Sequence, residues 1–100
     1  MMNNKPVDEA LNNLEEAFEI TLLNKENGVT YPDAPVYSGN SMEQLLSEYA
    51  ADIGINPNDK KILFINKRTG ADTADRTTTV GKLGLEPGDV LAIIGNAGVA

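Results

Sequence analysis

A segment in the middle of the chain, residues 41–54, carries every local signal of a helix with defined ends. Ser41 and Gln44 have the spacing of a capping box, in which each side chain bonds to the backbone N–H of the other residue. Apolar residues then recur at helical spacing and form one predicted face: Met42, Leu45, Leu46, Tyr49 and Ile53. Gly54 suits the left-handed conformation in which helices commonly end, and Pro57 cannot continue the helix. The sequence therefore predicts a helix over Ser41–Ile53.

Before this helix the apolar period changes to two residues, which is typical of a half-buried strand. The alternating residues are Phe18, Ile20 and Leu22. Asn27 and Gly28 form the preferred pair for a type I′ hairpin turn, because both central residues of that turn need positive φ. A return strand is then expected within residues 29–37. Pro32 and Pro35 cannot donate hydrogen bonds to a neighbouring strand, so this strand must be bulged, broken or at a sheet edge.

After the helix, two short apolar runs at residues 61–65 and 90–94 predict two more strands. Residues 67–79 between them are polar and lack a periodic apolar pattern, which favours a long loop with room for an irregular strand. A turn containing glycines follows, and its apolar residues are Val80, Leu83 and Leu85. No internal repeat is evident. Because a hairpin precedes the helix, in place of strict strand–helix alternation, the predicted fold class is α+β.

The composition excludes several kinds of chemistry. The chain has no Cys and no His, so it lacks disulfides, thiolate nucleophiles, Cys-ligated zinc and the usual proton shuttle. We therefore expect a non-enzymatic protein with no cofactor and no metal. The net charge is −7 and is concentrated in residues 1–50, which argues against nucleic-acid binding, since that depends on Lys and Arg. No targeting signal and no apolar run of membrane-spanning length is present, so we expect a cytoplasmic protein without membrane insertion.

Residues 1–17 form a separate acidic extension of the chain. Pro6 suits the first turn of a helix, and the apolar residues recur at helical spacing: Val7, Leu11, Leu14 and Phe18. A helix this short needs tertiary contacts to persist. A short helix and a disordered tail therefore both remain open for this segment.

In this order, the segments over residues 18–95 resemble a ubiquitin-like β-grasp domain. The helix runs into Gly54-Ile55-Asn56-Pro57, which is similar to the Gly-Ile-Pro-Pro helix exit of the family. Three further motifs match in sequence order: Ile62-Leu63-Phe64 for the third strand, Leu83-Gly84-Leu85 after Thr79-Val80 for the tight turn, and Gly88-Asp89-Val90-Leu91 for the last strand. The last motif also resembles the ending of small ubiquitin-like components of bacterial type VII secretion systems. The resemblance implies a mixed sheet of four or five strands packed on one main helix.

Ubiquitin-like domains serve as modifiers, adaptors and scaffolds, so the fold alone does not determine the function. If Ile62 and Phe64 point into the core, the period of two turns the intervening residues outward. The outward set then resembles the apolar patch through which ubiquitin-like domains meet partners. The residues predicted to bind a partner are Leu63, Ile65, Ala92 and Ile94, with Lys61 and Lys67 at the rim.

The resulting functional prediction is a protein-binding adaptor or assembly component of the cytoplasm, present as a monomer or weak homodimer. One alternative for the patch is that the N-terminal extension or a second copy of the chain covers it. The other alternative concerns residues 96–100, for which a flexible tail is predicted. Covalent modifiers of this family end in Gly-Gly, whereas here Gly98 matches the first glycine and Val99 replaces the second. A covalent modifier or carrier would therefore need trimming to Gly98.

Overall fold

The computed structural model describes residues 16–59 and 61–95. In chain order its elements are β1 (Phe18–Asn24), β2 (Thr30–Val36), α1 (Met42–Ile53), β3 (Leu63–Asn66), β4 (Asp72–Thr73) and β5 (Val90–Ile94). The extension before residue 16, Lys60 and the tail with Gly98 lie outside the described residues. The predictions for these segments are therefore not decided by the structure.

The strands form one five-stranded mixed sheet in the order β2-β1-β5-β3-β4. Strands β1 and β5 are parallel neighbours, and the other neighbouring pairs are antiparallel. The predicted α+β class with one main helix on a mixed sheet is confirmed. Side chains of the inner sheet face and of α1 form the core, and the largest fully buried ones include Ile20, Leu22, Leu45, Leu46, Phe64, Leu91 and Ile93.

Helix α1 has the ends that the sequence predicts. The Gln44 N–H donates to Ser41 Oγ at 3.1 Å, and the Ser41 N–H donates to Gln44 Oε1 at 2.7 Å, which completes the capping box. Gly54 ends the helix with φ of 78° in the left-handed region. The predicted apolar face, Met42 to Ile53, is buried against the sheet.

The return strand β2 is both bulged and at the edge of the sheet, as its prolines require. Its register with β1 shifts between Ile20 and Leu22. Asp33 has φ of 58°, a conformation that L residues rarely adopt. Since β2 has only β1 as a neighbour, Pro32 and Pro35 interrupt no second ladder.

The predicted type I′ turn at Asn27-Gly28 is wrong, because only Gly28 has positive φ (78°). The connection is a longer loop in which the Gly28 N–H donates to the Asn24 carbonyl at 2.8 Å and the Asn24 N–H donates to the Val29 carbonyl at 2.9 Å. The side chain of Asn24 stabilises this longer loop, because its Oδ1 accepts a hydrogen bond from the Glu26 N–H at 2.9 Å. A two-residue turn leaves no room for that contact.

The same loop occurs a second time, after β3. The Gly70 N–H donates to the Asn66 carbonyl at 2.7 Å, and the Asn66 N–H donates to the Ala71 carbonyl at 2.8 Å. Gly70 also has positive φ, 81°. The pattern Asn-Lys-x-x-Gly at residues 24–28 and 66–70 encodes both loops. The expectation that the chain holds no internal repeat is therefore wrong at this short scale.

The polar stretch 67–79 contains the two-residue strand β4, which agrees with the irregular strand allowed for it. In the turn that follows, Val80, Leu83 and Leu85 are buried and close one end of the core. No helix among the described residues has both the length and the apolarity needed to cross a membrane.

Candidate interaction surface on the sheet

The pairing of β3 with β5 places two apolar sets on opposite faces of the sheet. Ile62 and Phe64 are buried beneath it, at 3% and 0% exposure. Leu63 lies opposite Ile94 and Ile65 lies opposite Ala92, on the outer face. The strand phase predicted from the alternation is therefore confirmed. Leu63, Ile65 and Ile94 are each half-buried, because the helix leaves their face of the sheet uncovered.

A further residue, Leu23, joins this surface from β1. Parallel pairing of β1 with β5 places Leu23 beside Ala92, on the same face, and its side chain is half-buried. The alternating pattern in the sequence identified only the inward residues of β1, the last of which is Leu22. The signal for Leu23 was the ubiquitin-like strand order, in which the first and last strands are neighbours. We name Leu23, Leu63, Ile65, Ala92 and Ile94 the outer patch.

Ala92 differs from the other members of the outer patch because it has no exposed surface. It lies between Leu23 and Ile65 in the two neighbouring strands, and these larger side chains cover its methyl group. The expectation that Ala92 offers contact area to a partner is therefore wrong.

Exposed lysines lie at both ends of the outer patch. The Lys67 N–H donates to the Val90 carbonyl at 3.0 Å, so the β3–β5 ladder continues to this residue at the start of β5. The Lys25 N–H donates to the Ile93 carbonyl at 3.0 Å, which places Lys25 beside Ile94 at the other end. Lys61 precedes β3 near that same end and is exposed. Lys61 and Lys67 were predicted at the rim, whereas Lys25 was missed although it follows Asn in the same motif as Lys67.

The rim is not uniformly basic. Asp72 of β4 pairs with Ile65 and is exposed at the outer edge of the sheet. Glu19 is exposed near the start of β1, two positions before the outward Thr21. The outer patch is therefore a strip of half-buried apolar side chains with lysines at its two ends and two carboxylates, Asp72 and Glu19, at its margins.

An ion pair stabilises the arrangement of β3 and β5. Arg68 Nε donates to Asp89 Oδ1 at 2.9 Å, and the other oxygen, Oδ2, accepts from the Glu86 N–H at 2.8 Å. The Arg68 guanidinium also donates to the Gly84 carbonyl at 2.9 Å. The hydrogen bond from Arg68 lowers the pKa of Asp89 below its ordinary value. Asp89 is 7% exposed and directly precedes β5, so this pair attaches the turn before β5 to the loop after β3.

A separate groove of about 440 Å³ lies at the opposite end of β1 from Leu23. Its lining includes Phe18, Glu19, Asp33 and Pro35. It shares no residue with the outer patch. Across the described parts of the chain, no cluster of three or more acidic side chains has the geometry to hold a metal ion.

Comparison with known proteins identifies the fold. No family model matches the chain, and no curated protein matches its sequence. The ubiquitin-like domain of yeast Ddi1 is similar in structure, with a TM-score of 0.61, 24% identity, and coverage of 84% of this chain and 94% of that chain. The N-terminal ubiquitin-like domain of tubulin-binding cofactor B from Drosophila melanogaster gives a TM-score of 0.61 at 14% identity, covering 80% and 85% of the two chains.

Ubiquitin from Caldiarchaeum subterraneum is also similar, with a TM-score of 0.54 and 15% identity over 85% of this chain and all (100%) of that one. At these identities the similarity shows the fold and nothing finer. The chain therefore has the ubiquitin-like β-grasp fold, as its sequence motifs predicted.

Proposed function

We propose that this chain is a non-enzymatic ubiquitin-like interaction module, an adaptor or assembly component that binds a protein partner through the outer patch. The observation that carries the proposal is the alignment of four half-buried apolar side chains, Leu23, Leu63, Ile65 and Ile94, across three adjacent strands. Contiguous apolar surface of this kind commonly marks an interface. Because these residues belong to a hydrogen-bonded ladder, binding costs little backbone ordering.

Burial of the apolar side chains would supply the free energy of association, and the charged rim would contribute to its specificity. Fully burying a large aliphatic side chain contributes about 1.5–3 kcal/mol, so completing the burial of these partly covered ones contributes at most about 1 kcal/mol each. Lys25, Lys61 and Lys67 surround this apolar centre with solvated charge, which is the usual arrangement of a partner-binding surface. The rim then selects the orientation and rate of association more than the final affinity.

Similar structures support the use of the fold as one domain of a longer protein. The domains from Ddi1 and from tubulin-binding cofactor B are, by their names, ubiquitin-like parts of those proteins. A role as a binding module follows for the present chain by analogy of fold, and the partner is expected to present an apolar surface with acidic residues near its edge.

The test is affinity capture from the native lysate with the full chain and two matched variants. Leu63→Asp places a charge in the outer patch, and Tyr37→Asp places the same charge at an apolar residue that is 46% exposed outside it. We expect Leu63→Asp to lose the captured protein and Tyr37→Asp to retain it, with folding of both variants verified by thermal unfolding. Equal capture by a folded Leu63→Asp variant would overturn the proposal.

A further inference from the structure

We propose that the acidic N-terminal segment of this same chain, residues 7–16, docks on the outer patch and competes with the partner for it. The inference rests on the proposed function, since it assigns a regulator to the same surface. Three observations support it: the charge of the segment, the spacing of its apolar residues and its reach from the start of β1.

The negative charge of the segment is complementary to the lysines at the two ends of the rim. Residues 1–16 hold one lysine against four carboxylates: Lys5 against Asp8, Glu9, Glu15 and Glu16. The rim of the outer patch presents lysines at both ends, Lys25 and Lys61 near Ile94 and Lys67 near Val90. Opposite charges over an apolar centre fix the orientation of a docked segment.

The apolar spacing of the segment fits the size of the patch. Val7, Leu11 and Leu14 fall on one side of a helix, and the first and last of them lie about 10 Å apart along its axis. Along β5, from Val90 beside Lys67 to Ile94 beside Lys25, the distance between the two ends of the rim is about 13 Å. A single short helix therefore has the length to contact the exposed members of the outer patch.

The segment is long enough to reach the patch. Along β1 the outward position of Leu23 lies about 17 Å from Phe18. The four residues from Leu14 to Phe18 span about 13 Å when extended, and a helix from Leu14 back to Val7 would add about 10 Å. The segment can therefore turn back and run antiparallel to β1.

This orientation pairs the charges at both ends of the patch. With Leu14 near the start of β5, the adjacent carboxylate of Glu15 comes to the end where Lys67 lies. With Val7 near the end of β5, Asp8 and Glu9 come to the end where Lys25 and Lys61 lie. The reverse orientation needs more chain than the sequence supplies between Leu14 and Phe18.

The experiment is paramagnetic relaxation by NMR on the full chain. The protein has no Cys, so a nitroxide attached to an Asn12→Cys variant is its only label. We expect the amide signals of Leu63, Ile65 and Ile94 to broaden, and the broadening to disappear in Asn12→Cys combined with Leu11→Asp. A nitroxide at Ser47→Cys, an exposed position on α1 at the opposite face of the sheet, is the control and should broaden these signals less than the label at residue 12.

Two results would overturn the inference. One is unbroadened patch signals with the label at residue 12. The other is broadening that arises only between copies, seen when labelled protein is mixed with ¹⁵N-enriched protein without the label, because the segment then docks on a second chain.

The proposed function is tested separately in the same full chain. If self-docking is correct, Leu11→Asp increases capture of the partner, whereas Leu63→Asp still abolishes it. If Leu11→Asp leaves capture and relaxation unchanged while Leu63→Asp loses the partner, the interaction surface stands and self-docking is wrong.

Discussion

Asn24 and Asn66 occupy matching positions at the ends of β1 and β3 and make the same hydrogen bonds. Asn24 Nδ2 donates to the Ile53 carbonyl at 2.8 Å, and Asn66 Nδ2 donates to the Leu83 carbonyl at 3.0 Å. In each loop the side-chain oxygen accepts the N–H two residues later, at 2.9 Å and 3.0 Å. One asparagine thus fixes the end of the helix and the other fixes the buried turn, and each places the lysine after it at an end of the outer patch.

Replacing either asparagine by Ala should destabilise the fold. Asn24 and Asn66 are 1% and 0% exposed, so their removal leaves buried backbone carbonyls and N–H groups without a partner. We expect Asn24→Ala and Asn66→Ala each to lower the free energy of unfolding by about 1–3 kcal/mol, measured by urea denaturation. Asn58→Ala, at an exposed position, is the control and should stay within about 0.5 kcal/mol of the parent chain. A stability loss no larger than that of the control would show that water replaces both contacts.

Replacing the glycine of an Asn-Lys-x-x-Gly loop should destabilise the fold through the backbone conformation alone, and not through a steric clash. Gly28 has φ of 78° and open space around it, so a Cβ meets no neighbouring atom within 4 Å. Gly28→Ala should therefore cost about 1–2 kcal/mol of stability from the left-handed conformation. Gly28→Asn should cost less, because Asn tolerates this conformation. Equal losses for the two variants, measured by urea denaturation, would indicate that the loop changes shape.

Much of the fold was predictable because its signals are local. The caps of α1 depend on Ser41, Gln44 and Gly54, whose capping hydrogen bonds all lie within one short segment. Which side chains of β3 and β5 point into the core followed from the alternation of residues, because one of the two faces of the sheet must be buried. The fold resemblance then supplied what local patterns lack, the order of the strands.

One error arose where a contact depends on residues distant in sequence, and the other arose from a local side-chain contact. Burial of Ala92 depends on Leu23 and Ile65, which approach it only through the β1–β5 and β3–β5 ladders. The turn at Asn27 was wrong because the side chain of Asn24 accepts a loop N–H, which its residue type alone does not reveal. Comparison of the two Asn-Lys-x-x-Gly segments would have found the loop and, with it, the rim position of Lys25.

The ion pair of Asp89 with Arg68 should make stability depend on acidic pH. The hydrogen bond from Arg68 lowers the pKa of Asp89 in the folded chain, so the folded state favours the ionised carboxylate. This contribution is complete above the unfolded pKa, about 3.9, and is lost as the pH falls through the lower folded pKa. Asp89→Asn should therefore be less stable than the parent chain at pH 7, and the difference should shrink below about pH 4.

The measurement is urea denaturation of both proteins from neutral to acidic pH. Asp52→Asn is the control for the general effect of removing one carboxylate, because Asp52 is exposed on the surface of α1. If the stability difference between the parent chain and Asp89→Asn stays constant with pH, the negative charge of Asp89 does not contribute to stability.

Substitutions in the outer patch should reduce partner capture only where the replaced side chain is exposed. A buried residue on the same face should tolerate replacement. Ile65 is half-buried and available to a partner, so Ile65→Asp should abolish capture by placing a desolvated charge in the interface. Ala92 lies beside it in register yet has no exposed surface, so Ala92→Ser should leave capture unchanged. Capture is quantified from the same lysate for both variants after thermal unfolding confirms that each is folded. Loss of the partner in a folded Ala92→Ser variant would mean that the interface extends between Leu23 and Ile65, which would require these side chains to separate on binding.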